Sequence, residues 1–303
     1  MKCSRCRDVA EIALPSHHAG FCRPCFLEYF SRQVDKAVRH HRMFGRGDRI
    51  LVALSGGKDS LALFRELRHQ GYDATGLFVD LAIPGSSDAA RAAVEGFCAS
   101  LDAPLIVADM AAEGLPIPLV KERVKRPICS VCGKVKRHYF NRIALERGFT
   151  VLATGHNLDD EVGRLFANVL RWDAAYLSDT GPALPAESGF ARKVKPLCRL
   201  TEFETAAYCF FRDIPHHSAA CPYSGGASFT KRKQLMNGLE KESPGSKQAF
   251  YEGFLERARH AFAALEQEQG VSLAPCVECG CPTSAGLCGV CRLRKQVGEG
   301  DPR

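Results

Sequence analysis

Apolar residues along this chain fall into short continuous runs, separated by segments of helical period. Ile50-Leu51-Val52-Ala53-Leu54 is one such run, and 74–80, 104–108 and 150–154 are others. Runs of this length predict strands covered on both faces. Between them, 59–70, 87–101, 131–147 and 158–171 carry apolar residues at helical spacing and predict helices. Gly71 stands where a helix-terminating glycine belongs. A basic helical stretch, 26–44, precedes the first strand, and further helices are predicted at 201–212, 229–240 and 246–268. The stretch 173–190, rich in Gly, Pro, Ser and Asp, reads as a loop able to close over a site. Alternating strands and helices predict the α/β class, with a doubly wound parallel sheet. Ligands of such sheets bind at the carboxyl ends of the strands.

Composition narrows the setting. A chain of 303 residues, 46% hydrophobic and 25% charged, can bury one substantial core with small satellites. The start, Met1-Lys2-Cys3-Ser4-Arg5-Cys6, is polar and reads as no secretion signal. No apolar run approaches the roughly 20 residues that span a bilayer. The expectation is a cytoplasmic protein with no membrane partner. Fifteen cysteines in that compartment point to metal rather than disulfides.

The cysteines form three groups. Cys3-x2-Cys6 is followed fifteen residues later by Cys22-x2-Cys25, and Cys276-x2-Cys279 eight residues later by Cys288-x2-Cys291. Two C-x2-C turns complete a tetrahedron of thiolates, so each set predicts a closed, structural zinc site. His17 and His18 compete as ligands in the first, and Cys281 is a spectator beside the second. The third group is Cys129-Ser130-Val131-Cys132 with the later Cys221. Three thiolates suit a 4Fe–4S cluster with one iron free of protein ligand. They equally suit a redox pair, zinc with an outside ligand, or plain buried thiols.

Net charge is +7, which favours a polyanionic partner. Two tetrathiolate zinc sites lower it to about +3, so local patches count for more. One patch is Lys121, Arg123, Lys125, Arg126, Lys134, Lys136, Arg137 and Arg142; the others are Lys231-Arg232-Lys233 and Arg292, Arg294 and Lys295. Each neighbours a cysteine group, which favours nucleic acid over a merely solvated face.

The sharpest chemical signal is Ser55-Gly56-Gly57-Lys58-Asp59-Ser60, between the first strand and its helix. The glycines admit phosphate close to the backbone, and the helix start aims N–H groups at it. The spacing matches neither the Walker loop nor the dinucleotide fingerprint. Ser55, Gly56, Gly57 and Ser60 are candidates to hold pyrophosphate oxygens of ATP, and Lys58 adds positive charge where negative charge leaves. Asp59 either holds Mg²⁺ or complements the helix dipole. Gly155-His156-Asn157 sits at another strand end, before Asp159-Asp160-Glu161. His156 is either an acid or base or a structural histidine.

S-G-G-K-D-S resembles the PP-loop of the ATP pyrophosphatases. Over nearly its whole length the chain resembles the tRNA 2-thiolation enzymes of that superfamily, the branch with two terminal zinc modules. C-S-V-C-G-K-V-K-R, T-G-H-N-L-D-D-E, P-L-C-R-L-T-E and C-P-Y-S-G-G-A carry the likeness. The resemblance implies a PP-loop domain at 46–270, flanked by zinc-ribbon-like modules at 1–30 and 271–303, with a linker helix at 31–45. It implies a 4Fe–4S cluster on Cys129, Cys132 and Cys221, a catalytic Asp160, and adenosine contacts at Ala53, Phe78 and Val79. Gly155 joins the ATP site, and Lys136 serves either ATP phosphates or tRNA. The implied reaction adenylates the 2-oxygen of a tRNA uridine and lets sulfur displace AMP. The implied sulfur donor is a small ubiquitin-like protein ending in a thiocarboxylate, or a simpler sulfide source. The word C-P-Y-S is closer to enzymes of the T-loop 5-methyluridine than to those of the wobble uridine. Cys198 departs from the family's aromatic residue, and Cys98, Cys198, Cys209 and Cys281 receive no role. A homodimer through the zinc modules is compatible with the pattern.

Rival readings are a PP-loop ligase with a nitrogen nucleophile, a persulfide relay on the same three cysteines without iron, and a non-catalytic zinc-ribbon RNA adaptor. The first leaves the three cysteines dispensable, and the last predicts no ATP turnover.

Overall fold

A computed structural model describes residues 1–224, 228–267 and 273–298. Gly225-Gly226-Ala227 of the C-P-Y-S-G-G-A word, residue 268 of the last predicted helix and the boundary at 271 lie outside the described residues.

The chain opens with an antiparallel pair, β1 (Ile12–Leu14) and β2 (Ala19–Phe21), joined through a 3-10 turn at Pro15–His17. Helix α1 (Arg23–His40) buries Phe26, Phe30, Val34, Ala37 and Val38 along one stripe of helical spacing. It starts inside the first cysteine module and is packed into the main core. Then β3 (Arg49–Leu54), α2 (Lys58–His69), β4 (Asp73–Asp80), α3 (Ser87–Ser100), β5 (Leu105–Asp109), α4 (Ile117–Arg123), α5 (Ile128–Glu146), β6 (Val151–Thr154) and α6 (Leu158–Val169) follow in order. Next come α7 (Ala174–Ser178), β7 (Ala183–Leu184), β8 (Arg192–Val194), α8 (Glu202–Phe211), α9 (Ser228–Glu242), α10 (Ser246–Arg257) and α11 (Arg259–Gln267). A second small hairpin, β9 (Ala274–Pro275) and β10 (Pro282–Thr283), leads into α12 (Gly289–Gly298).

The central sheet has the order β5-β4-β3-β6-β8-β7, parallel except for the edge strand β7, which runs antiparallel to β8. Strand alternation divides two cores between its faces. Ile50, Val52, Leu54, Phe78 and Val151 point into one, with α1, α2, α3, α6 and α8. Leu51, Ala53, Leu77, Val79 and Leu152 point into the other, with α4 and α5. Each cysteine module closes one face: Cys3 and Cys22 join the first core, and Cys276, Cys288 and Cys291 join the second.

The α/β class and the mostly parallel sheet are as expected, with β7 the one antiparallel strand of the central sheet among the described residues, and two expectations are corrected. The stretch 173–190 is not simply a loop, because it holds α7 and β7 and feeds the sheet edge. The helix predicted over 246–268 breaks at Ala258, which lets α11 turn and pack against α7. Among the described residues, no helix is long and apolar enough to cross a membrane.

Candidate active site

The turn from β3 into α2 is built as its sequence requires. Gly56 has φ +81°, and a Cβ there would lie 3.1 Å from the Ala90 carbonyl oxygen. Ser60 ties the turn together: its Oγ donates to the Gly57 carbonyl (2.9 Å) and accepts from the Ser55 N–H (3.2 Å). Gly155, at the end of β6, packs directly on this turn. A Cβ on it would stand 2.8 Å from Ser60 N and Cα. The two strand ends thus meet at the loop only because residue 155 is glycine.

Three carboxylates open α6, and each finds a different partner. Asn157 and Asp160 form a reciprocal cap, in which Asn157 N–H donates to Asp160 Oδ2 (3.2 Å) and Asp160 N–H donates to Asn157 Oδ1 (3.1 Å). The Asn157 amide also donates to Asp59 Oδ1 (3.2 Å), so it links the two predicted catalytic carboxylates. Lys233 pairs with Asp160 and with Glu202 (3.2 Å). Glu202 also holds Lys58 Nζ (2.9 Å), which reaches Asp59 Oδ2 (3.1 Å). Burial works to lower the pKa of Lys58, but Glu202 and Asp59 outweigh it and hold it above its ordinary value. Asp159 accepts from the Glu202 N–H (2.7 Å) and pairs with Lys247. Glu161 is buried with Lys195 and the Tyr251 hydroxyl. These two are structural pairs.

His156 stands beside this group with Nδ1 2.8 Å from Thr154 Oγ1. Protein packs densely around it, although part of its surface remains solvent-exposed. Burial, then Lys195, lowers its pKa, so it is neutral at pH 7. Ala53 and Val79 face the second core while Phe78 faces the first, so these predicted adenosine contacts do not share one face.

Zinc on four thiolates at about 2.3 Å requires S···S edges of about 3.8 Å. The terminal tetrads come close to that spacing. The Sγ atoms of Cys3, Cys6, Cys22 and Cys25 all lie within 4.8 Å of one another, as do those of Cys276, Cys279, Cys288 and Cys291. Cys6 and Cys22 are 3.5 Å apart, and Cys279 and Cys288 3.7 Å. His17 is no ligand there; its Nε2 meets the Tyr29 hydroxyl at 2.8 Å and faces Glu204. Cys281 is less isolated than expected, since it lies with Cys279 and His138 inside the same 4.8 Å spacing.

Cys129, Cys132 and Cys221 are assembled differently. Cys129 and Cys132 sit in the first turns of α5, and Cys129 Sγ lies 3.6 Å from the Tyr223 carbonyl. All three are solvent-accessible, and Cys132 is within electrostatic reach of the other two, but the trio is outside the tetrad spacing. Burial pushes the Cys132 thiol up to about 11, against the pull of Lys136 one helical turn later. An open trio of thiols with a lysine beside it fits a polynuclear iron–sulfur group better than a single ion. The trio is also tied to the phosphate loop: the His217 N–H donates to the Gly56 carbonyl (2.8 Å), and Cys221 follows four residues later. Four residues reach at most about 14 Å. Cys98, Cys198 and Cys209 are core thiols, pushed by burial up to about 11, 12 and 12.

Glu202, Lys233, Lys195 and Lys247 were not foreseen as members of this site. T-E in P-L-C-R-L-T-E was a sign for Glu202, but nothing local marks the lysines. Several basic residues read as nucleic-acid contacts are instead spent on the fold. Arg142 and Arg294 both pair with Glu113, Lys295 with Glu278, and Arg123 donates to the Val297 carbonyl.

A phosphate loop at the strand ends, beside a carboxylate–lysine network and an open thiol trio, defines an ATP-using α/β protein with a sulfur- or metal-bearing second half. Comparison with known proteins agrees. The PP-loop domain family matches residues 27–218, and the 2-thiouridine synthetase TtuA N-terminal LIM domain matches residues 2–27. The tRNA-5-methyluridine(54) 2-sulfurtransferase of Thermus thermophilus is 39% identical over 97% of this chain and 91% of its own length. That of Thermotoga maritima is 38% identical over 98% of this chain and 97% of its own. The U34-tRNA thiolase NcsA from Methanococcus maripaludis, solved with its 4Fe–4S cluster, superposes with a TM-score of 0.75 at 26% identity, covering 84% of this chain and 86% of that one. This chain belongs to the PP-loop family, in its 2-thiouridine synthetase branch.

Proposed function

We propose that this protein is an ATP-dependent tRNA 2-sulfurtransferase that exchanges the 2-oxygen of 5-methyluridine 54 for sulfur. The observation that carries the reading is the short path from Gly56 through His217 to Cys221, which keeps that thiol within about 14 Å of the glycine loop and supports a shared site. The relatives at 38–39% identity support position 54 over the wobble position, whose enzyme is 26% identical.

In this reading the N-terminus of α2 and the Lys58 ammonium hold the departing pyrophosphate. ATP phosphates compete with Glu202 for Lys58 and Lys233, so the network opens as nucleotide enters. Asp59 and Asp160, joined through Asn157, offer carboxylate oxygens suited to Mg²⁺. The uracil 2-oxygen attacks the α-phosphorus and pyrophosphate departs. Sulfur then adds at C2, and AMP leaves with the former carbonyl oxygen. The target base must leave its stack to reach the loop.

Cys129, Cys132 and Cys221 would hold a 4Fe–4S cluster, which supplies an iron free of protein ligand to carry the incoming sulfur. Lys136 stands beside them, its pKa lowered by burial against the opposing pull of Cys132 and Cys221, and neutral His156 can take a proton. The donor is a ubiquitin-like thiocarboxylate protein or a sulfide source, and the reaction belongs to the cytoplasm. Residues 46–270 carry the chemistry, and the terminal zinc modules brace it.

The test is anaerobic sulfur transfer to unthiolated tRNA, read by nucleoside mass spectrometry. The reading predicts 2-thio-5-methyluridine at position 54 with release of AMP and pyrophosphate. Thiolation at position 34 alone, or transfer without ATP, would overturn it.

A further inference from the structure

The region beyond the far, C-terminal end of α6 has no task in the proposed chemistry, yet it is exposed, apolar and held in place. Leu170 is 61%, Trp172 72% and Tyr176 58% exposed, three large side chains within seven residues. Single exposed apolar residues need no explanation, but a cluster with aromatic rings does. Trp172 holds φ +50°, a left-handed backbone that a bulky residue seldom adopts.

The backbone that presents these rings is fixed from beneath. The buried Asn168 amide donates to the Tyr176 carbonyl (3.2 Å) and to Thr180 Oγ1 (3.1 Å). Thr180 Oγ1 also donates to the Tyr176 carbonyl (2.7 Å), and Asp173 caps α7 through the Tyr176 N–H (3.2 Å). Arg259 of α11 donates to the Ser178 carbonyl (3.2 Å). A floppy connection would carry none of these.

The surroundings are cationic. Arg137 is within electrostatic reach of both Arg164 and Tyr176, and Lys193 of Arg137, Arg164 and the carboxylate of Asp179. Arg171 is exposed next to Trp172. This surface is continuous with the active site. Arg164 stands four residues after Asp160 on α6, and Arg137 follows Lys136 on α5. Helix α6, with 12 residues, spans about 18 Å between Asp160 and the aromatic cluster.

Arginines interleaved with exposed aromatic rings suit stacked, unpaired bases on an anionic backbone. We propose that Trp172 and Tyr176 form a stacking platform for unpaired nucleotides of the RNA substrate, a few nucleotides from the base being modified, with Arg137, Arg164 and Arg171 on the intervening phosphates. The proposal rests on the tRNA reading above and adds the place where the RNA is gripped.

The chain has a single tryptophan, so its emission reports on this position alone. The experiment titrates wild-type protein with an unmodified tRNA transcript, following tryptophan emission and, separately, filter binding. Binding is expected to quench the emission with the same midpoint as retention on the filter. W172A and Y176A are each expected to bind tRNA about 5- to 100-fold more weakly, with W172F recovering most of the loss and ATP affinity unchanged in all. Filter binding with no change in emission overturns the platform without touching the thiolase reading. So does a W172A protein with wild-type RNA affinity that transfers sulfur poorly from a protein donor, an outcome that would assign the surface to that donor. A wild-type protein that does not bind tRNA at all contradicts the thiolase reading itself.

Discussion

Two kinds of cysteine group share this chain, and the structure treats them in opposite ways. The terminal tetrads are drawn tight, with S···S separations of 3.5 and 3.7 Å, and are knitted into the two cores on opposite faces of the sheet. The Cys129, Cys132 and Cys221 trio is looser and more accessible, and through Cys221 it is linked to the phosphate loop, four residues after the His217 N–H that bonds Gly56. A closed tetrad has no position left for chemistry, so its metal can only hold structure. An open trio leaves room for an incoming atom. In the proposed function the same residue type serves stability at the ends and reactivity in the middle, and the difference is the number of thiols that converge.

Substitutions should separate the two groups. The largest effect is expected at the trio: Cys221→Ser should lower sulfur transfer by at least about 100-fold while leaving the melting temperature and ATP affinity near wild type. Cys276→Ser should act the other way round. It should release about one zinc ion per chain and expose 273–298 to protease, because structural zinc supplies much of a small module's folding energy. A Cys276→Ser protein that keeps its zinc and resists protease would remove the contrast.

The basic run Lys231-Arg232-Lys233 gives a finer comparison. Lys233 pairs with Asp160 and Glu202, so Lys233→Ala should raise the KM for ATP about 10-fold or more. Lys231 is exposed, and Lys231→Ala should change that constant by less than about 2-fold. Equal effects would return the run to a plain electrostatic patch.

This pair also shows where the sequence stopped being legible. Elements whose signals are local were readable: the apolar run before Ser55, the glycine turn, the C-x2-C pairs, and the start of α6 at Asn157. Partners distant in sequence were not. Lys233 meets Glu202 31 residues away, and Lys247 meets Asp159 88 residues away, with nothing at either end to announce the other. The short strands β7 and β8 at one side of the sheet were missed for a related reason. They have two and three residues, and Arg192-Lys193-Val194 lacks the apolar run that revealed the central strands. The break at Ala258 has no proline or glycine; tertiary packing of α11 against α7 imposes it. Cys281 looked idle because its neighbour His138 comes from α5, far along the chain.

A smaller effect probes how the first zinc module is braced against α8. Buried Glu204 accepts hydrogen bonds from Tyr29 (2.7 Å) and the Thr201 N–H (2.6 Å), and faces His17 at 3.6 Å. Burial alone would raise its pKa, but these partners outweigh burial and hold it below the ordinary value of 4.5. A depressed carboxylate stabilises the fold above that ordinary value and loses its contribution as pH falls through the lower, folded one. Wild type should therefore exceed Glu204→Gln in stability by about 1–3 kcal/mol at pH 7, and the gap should close below about pH 4. Urea midpoints at matched pH test this, since acid release of zinc affects both proteins alike. A gap independent of pH would assign Glu204 a packing role only.

The central claim is that the tetrads hold structure while the trio, beside the phosphate loop, delivers sulfur. Its most direct test is metal analysis and tRNA thiolation on the same anaerobically prepared samples of wild type and Cys221→Ser. The account predicts about two zinc and about four iron per wild-type chain, with zinc and ATP binding kept, and iron and thiolation lost together, in the variant. A variant that loses iron yet thiolates tRNA at the wild-type rate would contradict it.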